Sequence, residues 1–114
     1  MRRLVKTFKA LSDMNRIRIL KMLEVHPLCV CEITYVLGLA SSTVSKHLSI
    51  LRDADFIVDQ KDGRWVNYCL NKDGTQNFIR NLLPLFSEWL PDDQIVTQDK
   101  EKLNFTDRNQ LCGL

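Results

Sequence analysis

Residues 29–52 read CVCEITYVLGLASSTVSKHLSILR. The stretch divides into two short helices around a glycine. From Cys31 to Leu37, Ile33, Val36 and Leu37 fall at helical spacing. Gly38 supplies the left-handed conformation that ends a helix, and Leu39 can fold back on its last turn. Ser41 or Ser42 then accepts a backbone N–H and opens the second helix. There Val44, Leu48 and Leu51, at i, i+4 and i+7, form a narrow apolar seam. Ser41, Ser42, Thr43, Ser45, Lys46, His47, Ser49 and Arg52 are short donors or cations, the candidate DNA contacts. No acidic residue occurs from Ala40 to Arg52, whereas a merely solvated helix face usually mixes Glu with Lys. A thin seam under a broad, uncharged-to-basic face suits the major groove. Base edges are read there by Ser, Thr and Lys, and phosphates are met by hydroxyls and cations. The pattern is a helix-turn-helix with its second helix exposed for recognition.

Outward from this stretch, Arg2 to Leu11 reads as a helix with Leu4, Val5, Phe8 and Leu11 on one side, expected to pack partly on a second subunit. Asp13 is a good N-cap for a helix from Asn15 to Val25. It turns Ile17, Ile19, Leu20 and Leu23 inward and Arg16, Arg18 and Lys21 outward. His26-Pro27 ends it, and His26 reads as a plain surface histidine. After the recognition helix, Phe56–Lys61 and Arg64–Leu70 read as strands joined by Asp62-Gly63, a hairpin signal. Such a hairpin is a wing. Arg64 at its tip, with Lys61 opposite, is placed for the minor groove or a phosphate. Phe56, Ile57, Trp65 and Tyr68 are assigned to the core. A last long helix, about Gly74 to Leu90, opens at Asn71 or Asp73 and is apolar on more than one face, which points to a symmetric dimer. Pro84 within it should kink it. Residues 92–114 show no convincing period and read as a polar arm. The expected fold is mainly α with a small β-hairpin wing, a dimeric winged helix-turn-helix in the order α-α-α-α-β-β-α. Residues 1–91 form the DNA-binding and dimerisation domain, and 92–114 the arm.

The chain has 114 residues and a net charge of +2, consistent with one domain. Its charge is uneven. Residues 1–64 carry a net +4 and residues 65–114 a net −2, so the basic half holds the helix-turn-helix. No apolar run approaches the ~20 residues of a membrane span, and no signal peptide is evident, so a cytoplasmic protein without membrane association is expected. The four cysteines then read as thiols rather than a disulfide framework. A small thiol oxidoreductase is disfavoured, because the chain shows neither an active-site Cys-x-x-Cys nor a β-α-β pattern. A winged helix used only for protein contacts fits poorly with Lys46, Arg64 and the lack of acidic residues.

The segments ALSDMNRIRILKML, LCVCEI, STVSKHLSILRDADFI and DGRWVNYCL, in this order and spacing, cover about residues 8–70. On these the chain resembles the ArsR/SmtB-type metalloregulatory repressors, dimeric winged-helix proteins that hold operator DNA until a metal or metalloid binds. It departs from the family's usual proline, serine and proline at Met14, Ala40 and Ser42, which affects caps and turns. The resemblance implies double-stranded operator DNA as partner, a homodimer, no enzymatic activity and no constitutive cofactor. Cys29-Val30-Cys31 looks like the Cys-x-Cys inducer site of the arsenic- and antimony-responsive members. Several of those carry a third cysteine where this chain has Thr34.

Two thiolates one residue apart make a soft chelate, poorly suited to Mg²⁺ or Ca²⁺. On an ideal helix they would point about 200° apart, at roughly 100° per residue, so joint ligation should unwind the first turn of the helix that carries them. As(III) or Sb(III) is the expected inducer, with Cd, Pb or Zn as the nearer alternative and thiol-based redox sensing as the other. Cys112, on the arm, is the preferred third ligand over Cys69 in the second wing strand. The interhelical zinc site of other family members needs histidine, and Gly74 to Leu90 has none.

Overall fold

The structure, a computed structural model, describes residues 1–106 of the chain. Its elements are α1 (Arg2–Ala10), α2 (Met14–Leu23), β1 (Leu28–Cys29), α3 (Val30–Leu37), α4 (Ser41–Asp53), β2 (Ile57–Asp62), β3 (Trp65–Leu70), α5 (Asn77–Ser87) and α6 (Gln94–Leu103). The antiparallel sheet has the order β1-β3-β2. This is the winged helix-turn-helix the sequence implied, with two additions. A two-residue strand, β1, precedes α3, and a sixth helix follows α5. No helix among the described residues is long and apolar enough to cross a membrane.

The local signals act largely where they stand. Asp13 caps α2 by accepting the N–H of Asn15 at 2.8 Å and of Arg16 at 3.2 Å. Gly38 ends α3 with φ +68°, its N–H on Thr34 O at 2.9 Å. The left-handed position after α4 belongs to Asp55, φ +67°. Its N–H meets Arg52 O at 2.9 Å and that of Phe56 meets Leu51 O at 3.0 Å. That paired closure is a Schellman motif, and Phe56 and Leu51 are both buried in the core. Arg3 pairs with the Asp55 carboxylate, so α1 helps hold the end of α4.

Several expectations shift. The hairpin pairs Asp62 with Trp65, so the turn is Gly63-Arg64 and not Asp62-Gly63. Gly63 takes φ +62°, the positive value a tight hairpin turn needs at its first position. Lys61 lies opposite Val66, not Arg64. Phe56 and Ile57 are core, and Tyr68 packs against it, but Trp65 is half-exposed beneath Arg64. The helix expected over Gly74–Leu90 is limited to Asn77–Ser87 and runs through Pro84. Its cap is Gln76, which accepts the Phe78 N–H at 3.2 Å, while the Asn71 amide donates to Asp55 O.

The largest correction concerns the segment read as an arm from residue 92. Asp93 caps α6 by accepting the Val96 N–H at 3.0 Å, and the helix buries Val96, Asp99 and Leu103 against α2 and α3. Asp99, 2% exposed, takes both Arg18 Nε at 2.8 Å and Nη2 at 2.9 Å. Arg18 is therefore part of an interhelical pair and not a solvated cation. Lys21 is also buried. Its ammonium donates to Phe86 O at 2.7 Å, sits over the Phe86 ring and meets Glu24. Buried charge is tolerable only when matched this closely. Asp99→Ala strands the Arg18 guanidinium and should lower the unfolding free energy by ~3 kcal/mol, whereas the charge-free pair Arg18→Met/Asp99→Leu should lose much less. Urea denaturation of the two variants measures the difference.

Candidate functional site

Helix α4 buries only Val44, Leu48 and Leu51. Ser41, Ser42, Thr43, Ser45, Lys46, Ser49 and Arg52 are all exposed. The cap is Ala40, which has no side-chain hydrogen bond, so Ser41 and Ser42 lie inside the first turn instead of closing it. The first N–H groups of α4 thus lack a side-chain cap and are free to meet an anion. Arg52 leans toward Asp59 of β2 at 3.7 Å. Arg64, at the wing tip, lays its guanidinium over the Trp65 ring with 5.3 Å to the centroid. His47 differs from its neighbours. It is half-buried, with Nδ1 3.3 Å from Arg16 Nη1. The reading of Arg16 as an outward cation missed this contact, because nothing in α2's own pattern shows that α4 crosses there.

Cys29 and Cys31 stand where the sheet meets the helix-turn-helix. Cys29 is a free thiol, whereas Cys31 is disulfide-bonded, which corrects the reading of all four cysteines as thiols. Cys29 ends β1, paired with Asn67 of β3, and is also the N-cap of α3. Its backbone is extended, φ −88° and ψ 166°, so only Cys31 lies within the helix. The expectation of two thiols about 200° apart on a regular helix therefore does not apply. Joint ligation would disturb a cap and a short strand pairing. Glu32 makes that cap. It closes a capping box with Cys29, its Oε1 accepting the Cys29 N–H at 3.1 Å, and its Oε2 receives the Thr106 hydroxyl at 3.4 Å. The sequence signal was a Glu three residues after the cap, disguised because cysteine stands where serine or threonine is usual. Burial pushes the Cys29 thiol above its ordinary range, and the Glu32 carboxylate adds to this. Burial also raises Cys69, which pairs with Val58 on the far strand.

Among the described residues, no three His, Cys, Asp or Glu side chains come together to hold a metal. Cys112 lies outside the described residues. Thr34 has a buried hydroxyl with no hydrogen-bond partner among the described residues. His26 is exposed, with Nδ1 2.9 Å from its neighbour Pro27 O, as expected.

Residues 13–58 match the family described as bacterial regulatory protein, arsR family. The arsenic resistance transcriptional regulator ArsR1 of Pseudomonas putida is 35% identical over 92 residues, 77% of this chain and 72% of that protein. The chain belongs to the ArsR family. Among solved structures, HlyU from Vibrio cholerae has a TM-score of 0.60 at 29% identity, over 73% of this chain and 86% of that one. The cadmium sensor CMTR from Mycobacterium tuberculosis has a TM-score of 0.56 at 30% identity, over 75% and 84%. As an ArsR-family protein the chain is a DNA-binding transcriptional repressor and not an enzyme.

In this ArsR-family repressor, a raised pKa keeps the Cys29 thiol protonated at neutral pH and poor as a nucleophile. Iodoacetamide should alkylate Cys29 at least about tenfold more slowly in the folded reduced protein than in urea, with the rate still climbing above the usual thiol range. Mass-spectrometric peptide mapping over time gives both rates.

Proposed function

We propose that the repressor leaves its operator when As(III) or Sb(III) is taken up by the thiolates of Cys29, Cys31 and Cys112. The observation that carries this is the placement of Cys29 and Cys31 at the start of α3. Ile33, Val36 and Leu37 of that helix share one core with Val44, Leu48 and Leu51 of α4. Soft thiolates suit a soft metalloid, and binding it releases the thiol protons. Drawing Cys29 and Cys31 onto one ion breaks the Cys29–Glu32 cap, and α3 passes the shift to α4. The short sequence distance from Thr106 favours Cys112 of the same subunit. Thr106 already touches Glu32, and six further residues extend at most about 20 Å. Relatives named for arsenic resistance favour the metalloid, and likeness to a cadmium sensor makes Cd²⁺, with Pb²⁺ and Zn²⁺, the second reading.

On the DNA side, Ser41, Ser42, Thr43, Ser45, Lys46, His47, Ser49 and Arg52 meet the major groove and its phosphates, and Arg64 reaches from the wing. Leu4, Val5 and Phe8 of α1 are 38%, 45% and 55% exposed, with Leu85 and Trp89 exposed at 51% and 46% around α5. A second copy covering these residues makes a homodimer with two recognition helices for a palindromic site in the cytoplasm.

Titration of the reduced protein on its own upstream DNA with As(III), Sb(III), Cd²⁺ and Zn²⁺ tests the inducer. Release by As(III) or Sb(III) that is lost in Cys29→Ser and Cys31→Ser, and weakened in Cys112→Ser, is the expected result. Release by Cd²⁺ alone would transfer the assignment to the second reading, and loss of binding only on mild oxidation would make it a redox sensor. Phe8→Glu should convert the dimer to monomer in sedimentation velocity and weaken operator binding by at least about tenfold, as half of a two-site contact is lost.

A further inference from the structure

We infer that Arg16 fixes the tautomer of His47, so that α4 offers DNA an imidazole Nε2–H donor at this position. The inference rests on the reading of α4 as the DNA-facing helix. Arg16 spends its donors on three groups. Nε bonds Ala10 O at 2.7 Å, Nη2 bonds Lys9 O at 3.1 Å, and Nη1 stands 3.3 Å from His47 Nδ1. A guanidinium donates, never accepts and stays charged. Nδ1 must therefore be the accepting nitrogen, and a neutral imidazole then carries its proton on Nε2.

The guanidinium is not free to swing away. Two carbonyls in the last turn of α1 hold it, where a cation also meets the negative end of the helix. Asp13, the acidic group nearby, is turned to the N–H groups of Asn15 and Arg16, so it is the guanidinium that faces Nδ1. Nε2 makes no hydrogen bond among the described residues, and it is not among their enclosed, unsatisfied atoms. It is the nitrogen left for a ligand.

A lone donor selects acceptors. Guanine O6 and N7, adenine N7 and thymine O4 qualify in the major groove, as does a phosphate oxygen, while the cytosine amino group does not. Arg16 is thus a positioning residue. It touches no DNA in this reading and acts by fixing which end of His47 carries the proton. It also ties the end of α1 to the middle of α4.

Long-range ¹⁵N–¹H NMR of the free protein at about pH 8, where an ordinary imidazole is neutral, reads the tautomer without DNA. His47 should show a bare Nδ1 and a protonated Nε2, and this bias should vanish in Arg16→Met. A proton on Nδ1, or a bias that survives Arg16→Met, overturns the role of Arg16. On the operator, His47→Gln keeps a donor near the Nε2 position and should bind within about threefold of the parent. His47→Asn matches the Nδ1 side only and should lose about tenfold or more, the size of one base contact. Equal binding by Asn and Gln overturns the contact to DNA. If the unaltered protein binds no operator, that half fails with the proposed function, while the tautomer still reports separately on Arg16.

Discussion

Helix α4 has to be held firmly while giving up most of its surface. Three side chains, Val44, Leu48 and Leu51, are all it buries. At about 2 kcal/mol for each fully buried aliphatic side chain, such a seam attaches a helix but does little to stop it rolling. The rest of the structure supplies what the seam lacks. Gly38 sets the angle of entry, and the Schellman closure at Asp55, tied to Arg3, fixes the exit. Arg16 meets the middle through His47. Beneath it lie Ile33, Val36 and Leu37 of α3, so whatever moves the start of α3 moves the floor under α4.

That floor is braced from the other side by charge. Asp99 of α6 holds Arg18 of α2 through two hydrogen bonds, and Lys100 reaches Glu24, which also meets buried Lys21. The last described residue of the chain, Thr106, reaches Glu32 beside Cys29. One carboxylate therefore joins the cap of α3, the end of α6 and the neighbourhood of Cys29. On the proposed reading, a thiolate site built on this cap is poised for change, because a cap contributes about 1 kcal/mol, far less than a soft ion gains from thiolates.

The helix-turn-helix, the wing and most of the core were legible because each is written in neighbouring residues. Gly38 marks a left-handed turn, Asp13 a cap, and the spacing of Val44, Leu48 and Leu51 a seam. What misled was polarity at buried positions. With Asp99 at the centre of its inner face, α6 has no clean apolar period, and so it read as an arm. Arg18 and Lys21 read as solvated for the same reason. Their partners, Asp99 and the Phe86 carbonyl, lie 81 and 65 residues away. The Cys29–Cys31 pair was evident from spacing, but its geometry was not, because the pairing of β1 with β3 keeps Cys29 out of the helix.

By itself the sequence determined the order of the elements from α1 to α5, the short β1 apart, the family, and the residue types at the proposed DNA face and thiol site. These follow from periods of two and of three to four residues, and from turn chemistry within a few positions. Only the tertiary structure decided which polar groups are partnered. It set Arg18 on Asp99, Lys21 on Phe86 O, Glu32 across the thiol cap and Arg16 against His47. The reason is that a hydrogen bond forms or fails over a few tenths of an ångström between groups far apart along the chain. No local pattern carries that information before the helices are packed.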